Sequence, residues 1–253
     1  MLISIITINL NDLSGLMGTF QSVINQTYTD YEFIVVDGCS TDGCVEFICD
    51  NSNYFTHIII EEDEGIYDAM NKGIGKAKGS YLLFLNSGDE FNEHFSLQHA
   101  VNALVSDTDL VFLRYKSQQN FITRNLQFSD FWFIFPYCHQ AILFKRSLFF
   151  HNGIFDKKFK VAADWEFVGR CLGTGSTYEI LNLEIVKVDL SGLSNTKDGV
   201  FMSFQERKYV LENDYNFFYR DYSELQYFRN AKLFRLLRKI YILFGRGVWK
   251  KGL

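Results

Sequence analysis

The sequence predicts an α/β protein: a mainly parallel central sheet flanked by helices, with a helical extension at its C-terminal end. Short, wholly apolar runs alternate with helix-length segments through the first hundred residues, the order that gives parallel strands joined by right-handed crossovers. Those runs are apolar at nearly every position, as strands covered on both faces are. At 253 residues, 47% hydrophobic and 22% charged, the chain can bury one large core without a metal or disulfide staple.

Residues 2–8, a β-branched run, form the first strand, and Asp12 is placed to cap a helix over 13–24. A second strand over 32–36 ends in the polar turn Asp37-Gly38-Cys39-Ser40. A helix over 44–50 and a strand over 57–60 follow. The pattern then predicts a helix over 66–77, a buried strand over 81–85 and a helix over 97–104. The second half holds a strand over 141–144 and helices over 201–215 and 223–244. Residues 1–195 read as one domain in two halves, 1–105 and 106–195, with 196–253 as the extension.

Composition excludes several classes. No stretch reaches the roughly 18–20 apolar residues of a membrane span, and the opening MLISIITINLND lacks the basic start of a secretory signal. The chain therefore reads as cytoplasmic, and its five cysteines (39, 44, 49, 138, 171) as reduced. The five-residue spacing of the first three does not match a zinc site. Net charge is −5, yet from Arg229 to the end there are eight basic residues and no acid, leaving 17 basic against 30 acidic residues before it. An acidic body argues against nucleic acid as a partner; a basic tail over 229–251 suits an anionic membrane surface. On a helical wheel Leu233, Phe234, Leu236, Leu237, Ile240, Tyr241 and Phe244 share one face, and Lys232, Arg235, Arg238 and Lys239 oppose it. That pattern fits an interfacial helix, with Trp249, Lys250 and Lys251 as further anchors, or a helix packed on the domain.

Ligands of open parallel sheets bind beyond the carboxyl ends of the strands, so the polar residues there are the candidates for chemistry. They are Thr7-Ile8-Asn9, Asp37-Gly38-Cys39-Ser40 and Asn86-Ser87-Gly88-Asp89-Glu90. Asp37 either shapes a turn or accepts the N–H of a nucleobase. Asp89 and Glu90 either sit in a solvated turn or hold a hard divalent ion together with phosphate. No Walker loop and no GxGxxG follows the first strand, which removes the main signatures of ATPases and dinucleotide enzymes.

Taken together, T-x-N, FIVVDGCSTDG and EGIYDAMNKGIGKAKGSYLLFLNSGDEF resemble the family 2 glycosyltransferases of GT-A fold, especially the branch of colanic-acid and other exopolysaccharide enzymes. The resemblance covers roughly residues 1–190. It implies a nucleotide-diphosphate sugar as donor, held by the 1–105 half, and a glycan or lipid-linked acceptor on the 106–195 side. By that resemblance Thr7, Asn9 and Asp37 hold the base and ribose. Asn71, with Gly73, matches the family's N-x-G beside the nucleotide, and Asn86, Ser87 and Gly88 belong to the donor site. The family's D-x-D metal motif is reduced here to its last acid, Asp89, the expected ligand of Mn²⁺ or Mg²⁺.

Cys138-His139-Gln140 resembles the branch's C-H-Q segment near the acceptor. Ala163-Asp164-Trp165 resembles the E-D-W/Y element that opens the acceptor helix, with Ala163 in place of its first acid. Asp164 is thus the expected catalytic base, and His139, Gln140 and Trp165 the expected acceptor side. The implied chemistry is inverting transfer without a protein nucleophile, in surface-polysaccharide biosynthesis at the inner face of the cell membrane. Two rivals remain open. One is a catalytically inactive, membrane-associated sugar-nucleotide-binding protein of the same fold. The other is a sugar-nucleotide nucleotidylyltransferase, which would carry a Gly-rich basic loop where residues 7–15 have no Lys or Arg.

Overall fold

The computed structural model describes residues 3–104, 107–117 and 138–215. The helix expected over 223–244 and the basic segment 229–251 lie outside the described residues.

β1 (Ile3–Asn9) is buried along its whole length. Its side chains alternate between two cores: Ile3 and Ile5 enter one, Ile6 and Ile8 the other, as the two-residue period of a strand requires. β2 (Tyr31–Asp37), β3 (His57–Ile60) and β4 (Tyr81–Phe84) pair with it in parallel, in the order β3-β2-β1-β4. α1 (Leu13–Ile24) begins where its cap predicts, Asp12 Oδ1 accepting the Gly15 N–H at 3.0 Å. α2 (Cys44–Asp50) and α3 (Ile66–Lys76) complete the crossovers. The chain leaves β1 toward β2 and later returns past it to β4. That reversal makes β1 and β4 the switch point beyond whose carboxyl ends a ligand crevice opens.

The parallel order stops at β4. β7 (Ile142–Lys145) runs antiparallel to both β4 and β6 (Leu110–Ser117), while β8 (Tyr178–Val188) runs parallel to β6. The short β5 (Glu90–Phe91) pairs antiparallel with β8 at the edge. Among the described residues the sheet reads β3-β2-β1-β4-β7-β6-β8-β5. The parallel arrangement therefore belongs to the first half and the second half is mixed. A run of apolar residues says that a strand is buried, not which way its neighbour runs.

α1, α2 and α4 (Ser96–Ala103) cover one face of the sheet. α3, α5 (Leu148–His151), α6 (Ala163–Gly173) and α7 (Lys197–Asn213) cover the other. α7 starts four residues before its predicted position because Thr196 caps it, Oγ1 accepting the Gly199 N–H at 3.0 Å. α3 sits unusually close to β1 through Gly73, where a Cβ would lie 2.5 Å from Ile6 Cγ2.

Candidate active site

Beyond the carboxyl ends of β4 and β8 lies a cleft of about 400 Å³, with the start of α6 on its opposite wall. One wall is the turn after β4. Ser87 N–H still bonds Ile8 C=O at 3.1 Å, and Asp89 N–H closes the turn on Asn86 C=O at 2.9 Å. Gly88 adopts φ +89°, a conformation that L side chains avoid, and a Cβ there would stand 3.1 Å from Asp189 Oδ2. Thr19 of α1 pins the turn: its hydroxyl donates to Asp89 C=O at 2.7 Å and accepts from Gly88 N–H at 3.1 Å.

The turn drives Asp89 inward until only 3% of it is exposed. Its Oδ2 accepts from Gln140 Nε2 at 2.8 Å and its Oδ1 from Asp189 N–H at 2.9 Å. Burial pushes the Asp89 carboxyl up to about 6, against the opposing pull of those two bonds.

The opposite wall carries Asp164 in the first turn of α6. Its Oδ1 accepts from Trp165 N–H at 2.8 Å and from the Tyr67 hydroxyl at 3.1 Å. Its Oδ2 faces His139 Nδ1 at 3.1 Å, and His139 Nε2 faces Asn86 Nδ2 at 3.1 Å. Burial alone would raise the Asp164 carboxyl. The hydrogen bond and charge of His139, the Trp165 N–H and Arg207 outweigh it, and the pKa lies below the ordinary carboxylate value. Tyr67, buried beside this charge, is pushed well up.

A clamp holds the approach to α6. Glu206 of α7 accepts three consecutive backbone N–H groups, from Lys160 at 2.6 Å, Val161 at 3.0 Å and Ala162 at 2.9 Å. The single proton of the Tyr67 hydroxyl is shared between Val161 C=O at 2.8 Å and Asp164 Oδ1 at 3.1 Å. Charge-assisted bonds of this kind are the strong ones. Glu206→Ala is expected to cost about 1–3 kcal/mol, seen as a fall in melting temperature of roughly 2–12 °C. Glu206→Gln, which keeps an acceptor oxygen, should lose less.

The cleft gathers Asn86, Ser87, Asp89, His139, Gln140 and Asp164, with Gly88 shaping the turn. Other expected site residues stand elsewhere. Asp37 and Asn9 are register partners at the ends of β2 and β1, buried in a knot of their own. Asn9 Nδ2 donates to Asp37 Oδ2 at 2.6 Å, Ser40 N–H to Asp37 Oδ1 at 2.7 Å and Ser40 Oγ to Asp37 Oδ2 at 2.8 Å. Cys39 and Asn11 flank this knot at φ 65° and 51°, strain that side chains tolerate where the surroundings fix them.

Expected beside the donor, Thr7 is fully buried and gives its hydroxyl to Leu85 C=O at 2.7 Å. Asn71 faces away from the cleft and brackets Phe155, donating to its C=O at 2.9 Å and accepting its N–H at 3.1 Å. Trp165, expected on the acceptor side, is 1% exposed in the core, with the Arg207 guanidinium 5.5 Å above its ring. Sequence reasoning missed Tyr67, Asp189 and Glu206. Asp189 directly follows β8, so the strand-end rule reaches it once β8 is recognised. Glu206 carries no sequence signal, because its partners are backbone groups 44–46 residues away.

Residues 4–159 match the family described as glycosyl transferase family 2. The chain is a family 2 glycosyltransferase. It is 32% identical over 213 residues, 76% of this chain and 79% of the relative, to a PGL/p-HBAD biosynthesis glycosyltransferase of Mycobacterium tuberculosis. Solved structures share its GT-A fold. S. aureus TarS 1–349 in complex with UDP-GlcNAc superposes with a TM-score of 0.67 at 17% identity, covering 84% of this chain and 67% of that one. The mannosyltransferase PcManGT from Pyrobaculum calidifontis, in complex with GDP-Man and Mn²⁺, gives 0.59 at 18% identity, covering 74% of this chain and 56% of that one. Among the described residues of the glycosyltransferase, no three His, Cys, Asp or Glu side chains are grouped to hold a metal. No described helix is long and apolar enough to cross a membrane.

Proposed function

We propose that this glycosyltransferase moves a sugar, with inversion, from a nucleotide-diphosphate sugar to a hydroxyl of a glycan or lipid-linked acceptor in surface-polysaccharide biosynthesis. The observation that carries the reading is that Asp89 and Asp164 face one cleft from opposite walls, the donor turn on one side and the acceptor helix on the other. In this reading the basic segment 229–251 holds the enzyme peripherally on the cytoplasmic face of an anionic membrane, where a lipid-linked acceptor would be presented.

Asp164 is the general base, taking the proton of the acceptor hydroxyl as that oxygen attacks the anomeric carbon. Lys160 and Arg207 border the same cleft and supply positive charge for phosphate oxygens. Asp89 suits a hard divalent ion, which needs only one or two carboxylates when phosphate and water complete its shell. Its carboxyl, pushed up to about 6 by burial, would gain from a cation beside it, and Asp189 follows alongside. Mn²⁺ or Mg²⁺ bound there would supply a Lewis acid for the departing diphosphate. No side chain need act as a nucleophile, so the anomeric centre inverts.

The test is a melting-point screen with UDP-GlcNAc and GDP-Man, each with and without Mn²⁺. A donor at 100 times its dissociation constant stabilises by about 2.7 kcal/mol, a rise of roughly 5–11 °C. The Mn²⁺ effect should have a definite sign with pH. Asp89 must be ionised to bind the ion, so the Mn²⁺-dependent rise should be small below about pH 5 and grow as pH passes 6. Product anomers opposite to the donor's support the mechanism. Absence of any shift with either nucleotide sugar, or retention of configuration, refutes it.

A further inference from the structure

Two consecutive residues of the 3-10 turn before β7 reach the two walls of the cleft. Gln140 gives its amide N–H to Asp89. His139 stands between Asn86 of the donor turn and Asp164 of α6, 3.1 Å from each. An ionised carboxylate only accepts, so the nitrogen facing Asp164, Nδ1, carries the ring proton. Nε2 then faces Asn86 Nδ2–H, so both ring nitrogens have a partner.

We propose that His139 is the positioning residue of the catalytic base, holding Asp164 Oδ2 through its Nδ1–H while Asn86 anchors the ring to the donor turn. The inference rests on Asp164 being the base. A carboxylate only 8% exposed drifts toward its neutral form, in which it cannot take a proton. The Nδ1–H bond opposes that drift. With Tyr67 and Trp165 N–H on Oδ1, it leaves the second Oδ2 lone pair for the acceptor hydroxyl.

The charged and titratable groups facing the pair come from every neighbouring element. Tyr67 belongs to α3, Arg207 and Glu206 to α7, Cys138 to the segment before β7 and Asp89 to the donor turn. In the transfer step the acceptor O–H bond breaks and its proton passes to Asp164. The acceptor oxygen bonds the anomeric carbon, and the anomeric C–O bond to the diphosphate breaks with its electron pair leaving on the diphosphate. His139 keeps its Nδ1–H on Asp164 throughout and relays no proton.

Nitrogen-15 NMR of the full chain labelled at its five histidines reads the tautomer directly. The expected wild-type spectrum shows His139 protonated at Nδ1 and bare at Nε2, reverting to the Nε2–H form in Asp164→Ala. A wild-type Nε2–H form overturns the inference. The kinetic arm follows breakdown of UDP-GlcNAc and GDP-Man with Mn²⁺ present. His139→Ala should move the acid limb of the rate profile to higher pH, with a loss greatest at the acid end that narrows as pH rises, at unchanged donor KM. His139→Asn, whose Nδ2 takes the place of Nδ1, should restore most of the rate. A loss equal at every pH, or one confined to donor KM, overturns the positioning role. Turnover retained in Asp164→Asn would instead strike the base itself. An inactive Asp164→Asn with an unmoved limb in His139→Ala strikes this inference alone.

Discussion

Asp164→Asn is expected to lower the rate of sugar transfer by about 10²–10⁴-fold, the usual worth of a general base, while leaving the donor-induced melting shift intact. The substitution keeps the size of the side chain and lets an amide oxygen accept from Tyr67 and Trp165 N–H, so the helix start should survive. What it removes is the lone pair that takes the acceptor proton. Without that, the attacking oxygen must carry its proton into the transition state. The substitution leaves untouched Asp89, Asn86 and Ser87 on the other wall, the residues proposed to meet the donor, so donor binding should be largely retained. A transfer rate within about tenfold of wild type would mean that another group takes the proton.

The two acids of the cleft are driven in opposite directions, and the difference sorts their roles. Asp89 is pushed up to about 6 by burial, while Asp164 is held below its ordinary value against burial, chiefly by His139. Titratable pairs whose surroundings push them apart mark acid–base assignments. Asp164 is ionised at any physiological pH and ready to accept. Asp89 gives up its proton only as pH passes about 6, and a cation bound beside it would favour the ionised form. The stability consequences have opposite signs. Asp164, depressed in the fold, contributes stability above its unfolded pKa that is lost as pH falls through the lower folded value. Asp89, raised in the fold, favours the native state below its unfolded pKa, a contribution lost as pH rises through about 6, and Mn²⁺ should offset that loss.

The first half of the fold was legible because it is written in local terms. Apolar runs bounded by Asp, Asn and Gly fix β1 to β4, and Asp12 marks the start of α1. The same locality leaves side-chain direction unwritten. Thr7, Asn71 and Trp165 match motif positions, but a motif does not say whether a polar atom turns toward a ligand or a neighbouring backbone. Here Leu85 and Phe155 take the hydrogen bonds of Thr7 and Asn71, and the core takes the Trp165 ring. The antiparallel pairing of β7 with β4 and the Glu206 clamp are long-range facts with no periodic signature. The turn after β4 was legible because its residues are consecutive: Asn86 to Asp89 form both the motif and one wall of the cleft.

Phe155→Ala is expected to destabilise the protein by about 3–5 kcal/mol, a fall in melting temperature of roughly 6–20 °C. Phe155 is 1% exposed and lies among the rings of Tyr67 at 5.6 Å, Phe84 at 5.4 Å, Phe149 at 5.4 Å and Phe167 at 5.3 Å. Phe149 and Phe167 stack on each other at 4.4 Å with planes 8° apart, so the cluster has little freedom to collapse into a void, and uncollapsed cavities are the costly ones. Asn71 pins the Phe155 backbone from α3. Asn71→Ala should therefore cost less alone and combine non-additively with Phe155→Ala, since the two share one contact. Tyr67 is the link to catalysis, with its ring against Phe155 and its hydroxyl on Asp164. Transfer should accordingly weaken in Phe155→Ala at temperatures where the chain is still folded. A denaturant midpoint that barely moves, with an unchanged slope, would show that this cluster is not what holds α3 and α6 in register across the cleft.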